Sequence, residues 1–376
     1  MMIRPFGMAL ACLLFATATA GSAGSAHPAP AQGGSLDATL AAYLGGDTAI
    51  IARTFTRPRD FEVLRRDLDR WLKSWDRGKA LVLLEVSRVA GSVAPQYAAI
   101  IVNVGRVYME TASGGDRAAP DFAAFVQTWH DAAAGVLQRA SDPWKVEAYV
   151  TDVLGTSTSA SSGRLTGRLL LARAVAQERR CWDQRPALEQ ASPEVEVLAK
   201  AADMVVPDDL DGLAKAGRAA KVRSHLTCLG EALTRLEAAA RDDTRVEASV
   251  RAGWILFQMG RSQDALNRLE IVPPGDDRDL AFWLALFRGR ALDALGRVAD
   301  SVAAYRSALA LVPTAQSAGI GLALELVRLD RRAEADQRAR ALRSAGAAGP
   351  DPWSFYMNGD DRLVDDWLKQ LRAALR

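Results

Sequence analysis

Small residues that return every thirty-odd positions constrain this chain more than any other feature of its sequence. Gly253, Gly289 and Ala323 are separated by 36 and 34 residues, and Ala265, Ser301 and Ala335 follow at the same two intervals. Leu256, Leu292 and Leu326 keep step, and Gly260, Gly296 and Asp330 each precede an arginine in the phrases MGRSQDAL, LGRVADSV and LDRRAEAD. A period of this length belongs to supersecondary units that cannot bury an apolar face alone and therefore stack. Two helices joined at the Gly-Arg or Asp-Arg turn make such a unit. The small residues let its helices approach closely, and the large residues around them fill the groove of the next unit. Three units are near the minimum for a stable stack, so both ends of the array need covers.

The middle unit carries the fullest pattern. Gly289, Leu292, Gly296, Ser301, Tyr305, Ala308 and Pro313 occupy its small, large, turn, small, aromatic, small and proline positions. In this the stretch from Thr244 to Ala345 resembles the tetratricopeptide repeat (TPR) family, of the exported bacterial type. The first unit departs from the family by inserting Pro273-Pro274-Gly275, and the third lacks the aromatic and the closing proline. The resemblance implies an α-solenoid, a right-handed superhelix of helix-turn-helix units whose first helices line a concave groove for a protein or peptide. By register that groove presents Val250, Trp254 and Phe257 from the first unit, Trp283, Leu286, Arg290 and Asp293 from the second, and Ile320, Leu324 and Arg328 from the third. Of these, Trp254, Phe257, Trp283, Leu286, Arg290, Asp293 and Arg328 are the implied partner-binding residues. Large aromatics beside arginine suit interface anchors, because they bury much area for little side-chain entropy. For Trp254 and Phe257, three apart, the competing reading is core between adjacent units.

The rest of the chain reads as helix, so the fold class is all-α, a helical array ending in the repeats. Phe61, Leu64, Leu68, Trp71, Leu72 and Trp75 recur at steps of three and four after Asp60, a candidate N-cap. Phe122, Phe125, Val126, Trp129, Ala133, Val136 and Leu137 repeat the pattern. Asp142-Pro143 and Ser192-Pro193 place a capping side chain before a proline at a helix start. Between Lys79 and Ala112 the proline at 95 implies two helices with a break near Gly91 to Pro95. These signals divide the chain into a signal peptide (1–31), an N-terminal helical block (36–154), a small polar linker (155–163), intermediate helices (164–243), the repeats (244–345) and a C-terminal capping helix (346–376). In the intermediate helices the stripe Leu226, Leu229, Leu233 and Leu236 reads as a degenerate repeat and cover. The last segment opens with Asp351-Pro352-Trp353 and carries the stripe Leu363, Trp367, Leu371 and Leu375.

The first residues have the order of an export signal. Arg4 precedes an apolar run from Met8 to Ala20 that is too short to span a bilayer, and small residues follow. Cleavage fits after Ala20, Ala26 or Ala31, and Ala31 is favoured. No later stretch is a membrane span, so the expected location is periplasmic or secreted. Processing leaves Cys181 and Cys228, which an oxidising compartment permits to pair, or which are two small buried helix residues. A formal net charge of +2 does not advertise the phosphate neutralisation that drives nucleic-acid binding.

Catalytic and cofactor signals are scarce. His27, His130 and His225 form no metal-binding spacing, Gly319-Ile320-Gly321 lacks a third glycine and a preceding strand, and no GxSxG or phosphate loop is present. The pairs Asp208-Asp209, Asp242-Asp243, Asp276-Asp277 and Asp360-Asp361 lie at turns or helix starts, where aspartate caps. The expectation is an exported scaffold with no cofactor. The alternative is an all-α hydrolase acting on a polysaccharide or peptide, which requires two carboxyl groups about 5 to 9.5 Å apart across a cleft.

Overall fold

The computed structural model describes residues 36–140, 143–156, 162–183, 210–273, 276–344, 351–358 and 362–375. The export signal, His27, Ser192-Pro193, Asp208-Asp209 and Asp360-Asp361 lie outside the described residues. All regular structure among the described residues is helical. The N-terminal block holds α1 (Leu36–Leu44), α2 (Ile50–Thr54), α3 (Pro58–Trp71), α4 (Arg77–Val93), α5 (Pro95–Met109), α6 (Gly114–Ala118), α7 (Phe122–Ala140) and α8 (Pro143–Thr156). Next come α9 (Ser162–Asp183) and α10 (Leu210–Ala239). Three helix pairs follow: α11 (Arg245–Gln258) with α12 (Ser262–Glu270), α13 (Arg278–Ala294) with α14 (Val298–Leu311), and α15 (Gln316–Arg328) with α16 (Arg332–Ser344). The chain closes with α17 (Pro352–Asn358) and α18 (Val364–Ala373). No helix among the described residues is long and apolar enough to cross a membrane.

Helix ends follow from local chemistry. The break predicted near Pro95 falls there, with α4 ending at Val93 and α5 starting on the proline. Asp60 is not the N-cap of α3. Pro58 begins the helix because its missing N–H would be unsatisfied there anyway, which leaves Asp60 in the first turn accepting from the N–H groups of Thr56 and Arg57 at 3.1 and 2.8 Å.

The three repeat turns share one geometry. Gly260, Gly296 and Asp330 all have positive φ, at 75°, 70° and 56°. In each, the following arginine N–H reaches back five residues, to the carbonyls of Leu256, Leu292 and Leu326, a helix-ending motif that needs a left-handed residue. Those arginines then pair forward to Asp264, Asp300 and Glu334 in the first turn of the second helix.

Close approach explains the small columns. A methyl group on Gly253 would meet the Leu269 side chain at 2.6 Å, and one on Gly289 would meet the Tyr305 ring at 2.6 Å. Ala265, Ser301 and Ala335 are buried, and the Ser301 hydroxyl donates to the Gly289 carbonyl at 3.1 Å, tying the middle pair together. Successive pairs touch through their first helices as well, α11 on α13 and α13 on α15.

One helix belongs to two cores. Leu169, Ala172 and Ala176 of α9 join the N-terminal core, while Leu171, Ala174 and Val175 pack with α10 and α11. Cys181 of α9 and Cys228 of α10 are joined by a disulfide. The last helix does not lie on the third repeat. Val364, Leu368 and Leu371 of α18 enter the N-terminal core against α7, and Arg372 reaches Glu85 at 2.8 Å and Tyr43 at 2.9 Å.

Candidate partner-binding surface

The aromatic residues assigned to a groove by register are brought together, and the chain's own C-terminal segment lies on them. Trp283 is fully buried and donates its indole N–H to the Pro352 carbonyl at 2.9 Å. Trp254 stacks on Phe287 with ring centres 4.6 Å apart, and Trp353 meets both rings edge-on at 5.1 and 5.8 Å. Tyr356 stacks on Trp353 and sits edge-on to Trp283, each near 5 Å. Asp351 holds the start of the segment by accepting from the Ser317 N–H and hydroxyl at 2.7 and 3.0 Å, which caps α15 from a distance in sequence.

Beneath these rings lies a buried ionic cluster joining the repeats to α9. Arg251 pairs with Glu247 at 3.0 Å and Glu178 at 3.5 Å, with its guanidinium 4.6 Å from the Tyr356 ring centre. Arg362 pairs with Glu247 at 2.8 Å and Asp277 at 3.0 Å, and the Tyr356 hydroxyl donates to Glu178. Burial works against ionisation of Glu247, but Arg362, Arg251 and Arg168 together hold it well below the usual carboxylate range. A charge cluster buried this completely is costly to break from one side, so it fixes how the C-terminal segment crosses the repeats.

Of the implied partner-binding residues, Trp254, Trp283 and Leu286 are therefore interior, and Phe257 is partly covered beside Trp254. Arg290 is partly exposed. Asp293 is paired with Arg328 of the next unit, and Arg328 also reaches Glu325 at 3.1 Å. Burial and the neighbouring Asp293 raise the Glu325 carboxyl.

Large apolar side chains of the repeats that face solvent are Ile271, at the end of α12, and a group on the third unit. Ile320, Leu324 and Val327 are 51%, 58% and 52% exposed and form one stripe along α15. The equivalent positions earlier in the array are less open: Val250, Trp254 and Leu286 are buried, while Phe257, Arg290 and Asp293 are partly exposed. The described residues hold no further helix pair after α16. The Trp353 and Tyr356 anchors escaped the repeat register because they lie outside it. The cluster Trp353, Phe355 and Tyr356 behind Asp351-Pro352 was the signal available.

Two hollows lie near α9. Asp131, Gln138, Arg168, Glu247 and Arg362 line a cavity of about 30 Å³, room for a water or two and not for a sugar ring. Burial, with Asp243 adding to it and Arg168 opposing, raises the Asp131 carboxyl to about 7. A groove of about 520 Å³ runs past Trp144, Arg180, Arg223 and Cys228. His130 is interior, with Nδ1 2.6 Å from the Tyr149 hydroxyl, and burial lowers it to about 4, so it stays neutral. No family model matches the sequence, and comparison with curated proteins gives no match.

Proposed function

We propose that this chain is an exported scaffold of the tetratricopeptide type that binds a protein or peptide partner through its repeat array. The observation that carries the reading is the Ile320, Leu324 and Val327 stripe, three large apolar side chains in solvent along one face of α15, where the equivalent Val250, Trp254 and Leu286 of the earlier units are buried. Leaving such a stripe wet forfeits burial of roughly 25 cal/mol per Å² of apolar surface, and contiguous exposed patches of this sort mark interaction sites. The shared turns at Gly260, Gly296 and Asp330 and the close approaches at Gly253 and Gly289 support the repeat assignment. The Cys181 to Cys228 bridge suits an oxidising compartment outside the cytosol.

The test is a photo-crosslinking residue placed at Leu324 in intact cells, with the exposed Val63 of α3 as control. A discrete adduct is expected from position 324 and not from 63, and it should vanish when Ile320→Glu is added. No adduct above the control would overturn the proposal.

A further inference from the structure

We infer that the Cys181 to Cys228 bridge is a thiol-exchange site, opened in the folded protein by an external dithiol that attacks the Cys228 sulfur from the groove beside Trp144 and Arg180. The inference goes beyond the scaffold reading and is independent of which partner the repeats take.

The first ground is access. Cys181 is fully buried, whereas Cys228 lines the groove of about 520 Å³ together with Gln177, Ser224, Thr227 and Glu231. A hollow of that size is in the range that admits small molecules. Exchange requires a thiolate to reach one sulfur of the bridge, so access selects both the labile bridges and the sulfur attacked. The groove makes Cys228 the point of attack and Cys181 the leaving group.

The second ground is a fixed donor beside the bridge. The Gln177 carbonyl accepts from Arg180, which turns the amide nitrogen toward the sulfurs, 3.4 Å from that of Cys228 and 3.9 Å from that of Cys181. The same nitrogen donates to Glu231 at 3.0 Å, and Arg180 is held in turn by Glu147 at 2.6 Å. An amide oriented at both ends needs no reorganisation to stabilise charge developing on either sulfur.

The chemistry balances with the dithiol as the only co-reactant. Its thiolate bonds to the Cys228 sulfur as the bond between Cys228 and Cys181 breaks, and the electron pair leaves on Cys181 as a thiolate. The second thiolate of the dithiol then attacks its own sulfur in the mixed disulfide and releases Cys228. The reagent ends as a disulfide, oxidised by two electrons, and its two protons end on the two cysteines.

The third ground is what the bridge holds. Cys228, Leu229, Ala232, Leu236 and Ala239 of α10 pack with α9 and α11, and no described residue of α10 before 228 joins that cluster. The bridge therefore stands at the head of the buried stretch, with roughly 27 Å of helix preceding it. Opening it loosens the N-terminal half of α10 and leaves the cover on α11 in place.

The experiment treats the full chain with dithiothreitol in native buffer and follows opening by alkylation and mass. The rate should rise in proportion to dithiothreitol and stay unmoved by urea below the unfolding transition. Thr227→Trp, which fills the groove wall, should slow opening at least about tenfold without loss of helicity. With glutathione in its place and N-ethylmaleimide as the trap, peptide mapping should find the mixed disulfide on Cys228. Hydrogen exchange after opening should rise in residues 219–227 before 229–239. A rate that levels off with dithiothreitol and climbs steeply with urea would mean that exchange needs unfolding, and would overturn the inference on the wild-type chain alone. An adduct on Cys181, or full speed in Thr227→Trp, would overturn attack from the groove.

Discussion

At the first repeat, Ala248, Ala252 and Ile255 of α11 are buried with Leu229, Ala232 and Leu236 of α10, and the Cys181 to Cys228 bridge ties that cover to α9. At the third, Ile320, Leu324 and Val327 stand in solvent. The two ends are built from the same repeating sequence, yet one is closed by two helices and a covalent bond, while the other carries an exposed apolar stripe with no covering helix along it among the described residues. A repeat register says which face of a unit meets its neighbour. It does not say whether the neighbour is there.

The sharpest test of this contrast compares one column at the two ends. Trp254→Ala removes a ring held between Phe287 and Trp353 and should cost about 3 to 5 kcal/mol in denaturant unfolding. Leu324→Ala, 70 residues on at the equivalent position and 58% exposed, should change stability by less than about 0.5 kcal/mol. Similar costs would mean that the C-terminal end is covered after all.

A smaller effect is expected from opening the covalent staple. Cys181 and Cys228 are 47 residues apart, and removing a bridge over a loop of that length costs about 2 to 4 kcal/mol in the chain-entropy picture. Reduction should release amide protection in α10 before α15, measured by hydrogen exchange. Uniform loss across the array would show that the closed end is not a separate unit of stability.

The smallest effect is pH-dependent and lies where the N-terminal block meets the repeats. The Asp131 carboxyl is raised by burial to about 7, and one of its oxygens is buried without a hydrogen-bond partner. Between about pH 4 and pH 7 the unfolded chain releases this proton and the folded chain keeps it, so wild-type stability falls as pH rises through that window. Asp131→Asn removes the ionisation. It should stabilise the protein by about 1 kcal/mol or more above pH 7 and by nothing near pH 4. A gain independent of pH would place that carboxyl in water.

Much of the fold was legible residue by residue. Amphipathic spacing located α3 and α7, proline placed the break between α4 and α5, and the Gly-Arg and Asp-Arg phrases marked the three turns. Asp60 was misjudged as a cap because two residues compete for a helix start and proline takes it on steric grounds. The candidate site was legible in composition and not in exposure. Trp254, Trp283 and Leu286 have the character of interface anchors, but a tryptophan is as suited to an interior as to an interface, and what covers it is a segment about 70 to 100 residues further along.

The sequence by itself determined the helices, their pairing and the seam between them, because these depend on near neighbours: a glycine that admits a tyrosine ring, a left-handed turn residue, an arginine three residues before a carboxylate. Only the tertiary structure decided which stripe is covered. Burial of the inner aromatics depends on where residues 351–358 return, and the apolar stripe of α18 is buried against α7 in the N-terminal core and not on the repeats. Both are contacts between segments far apart in sequence, and no local pattern records them.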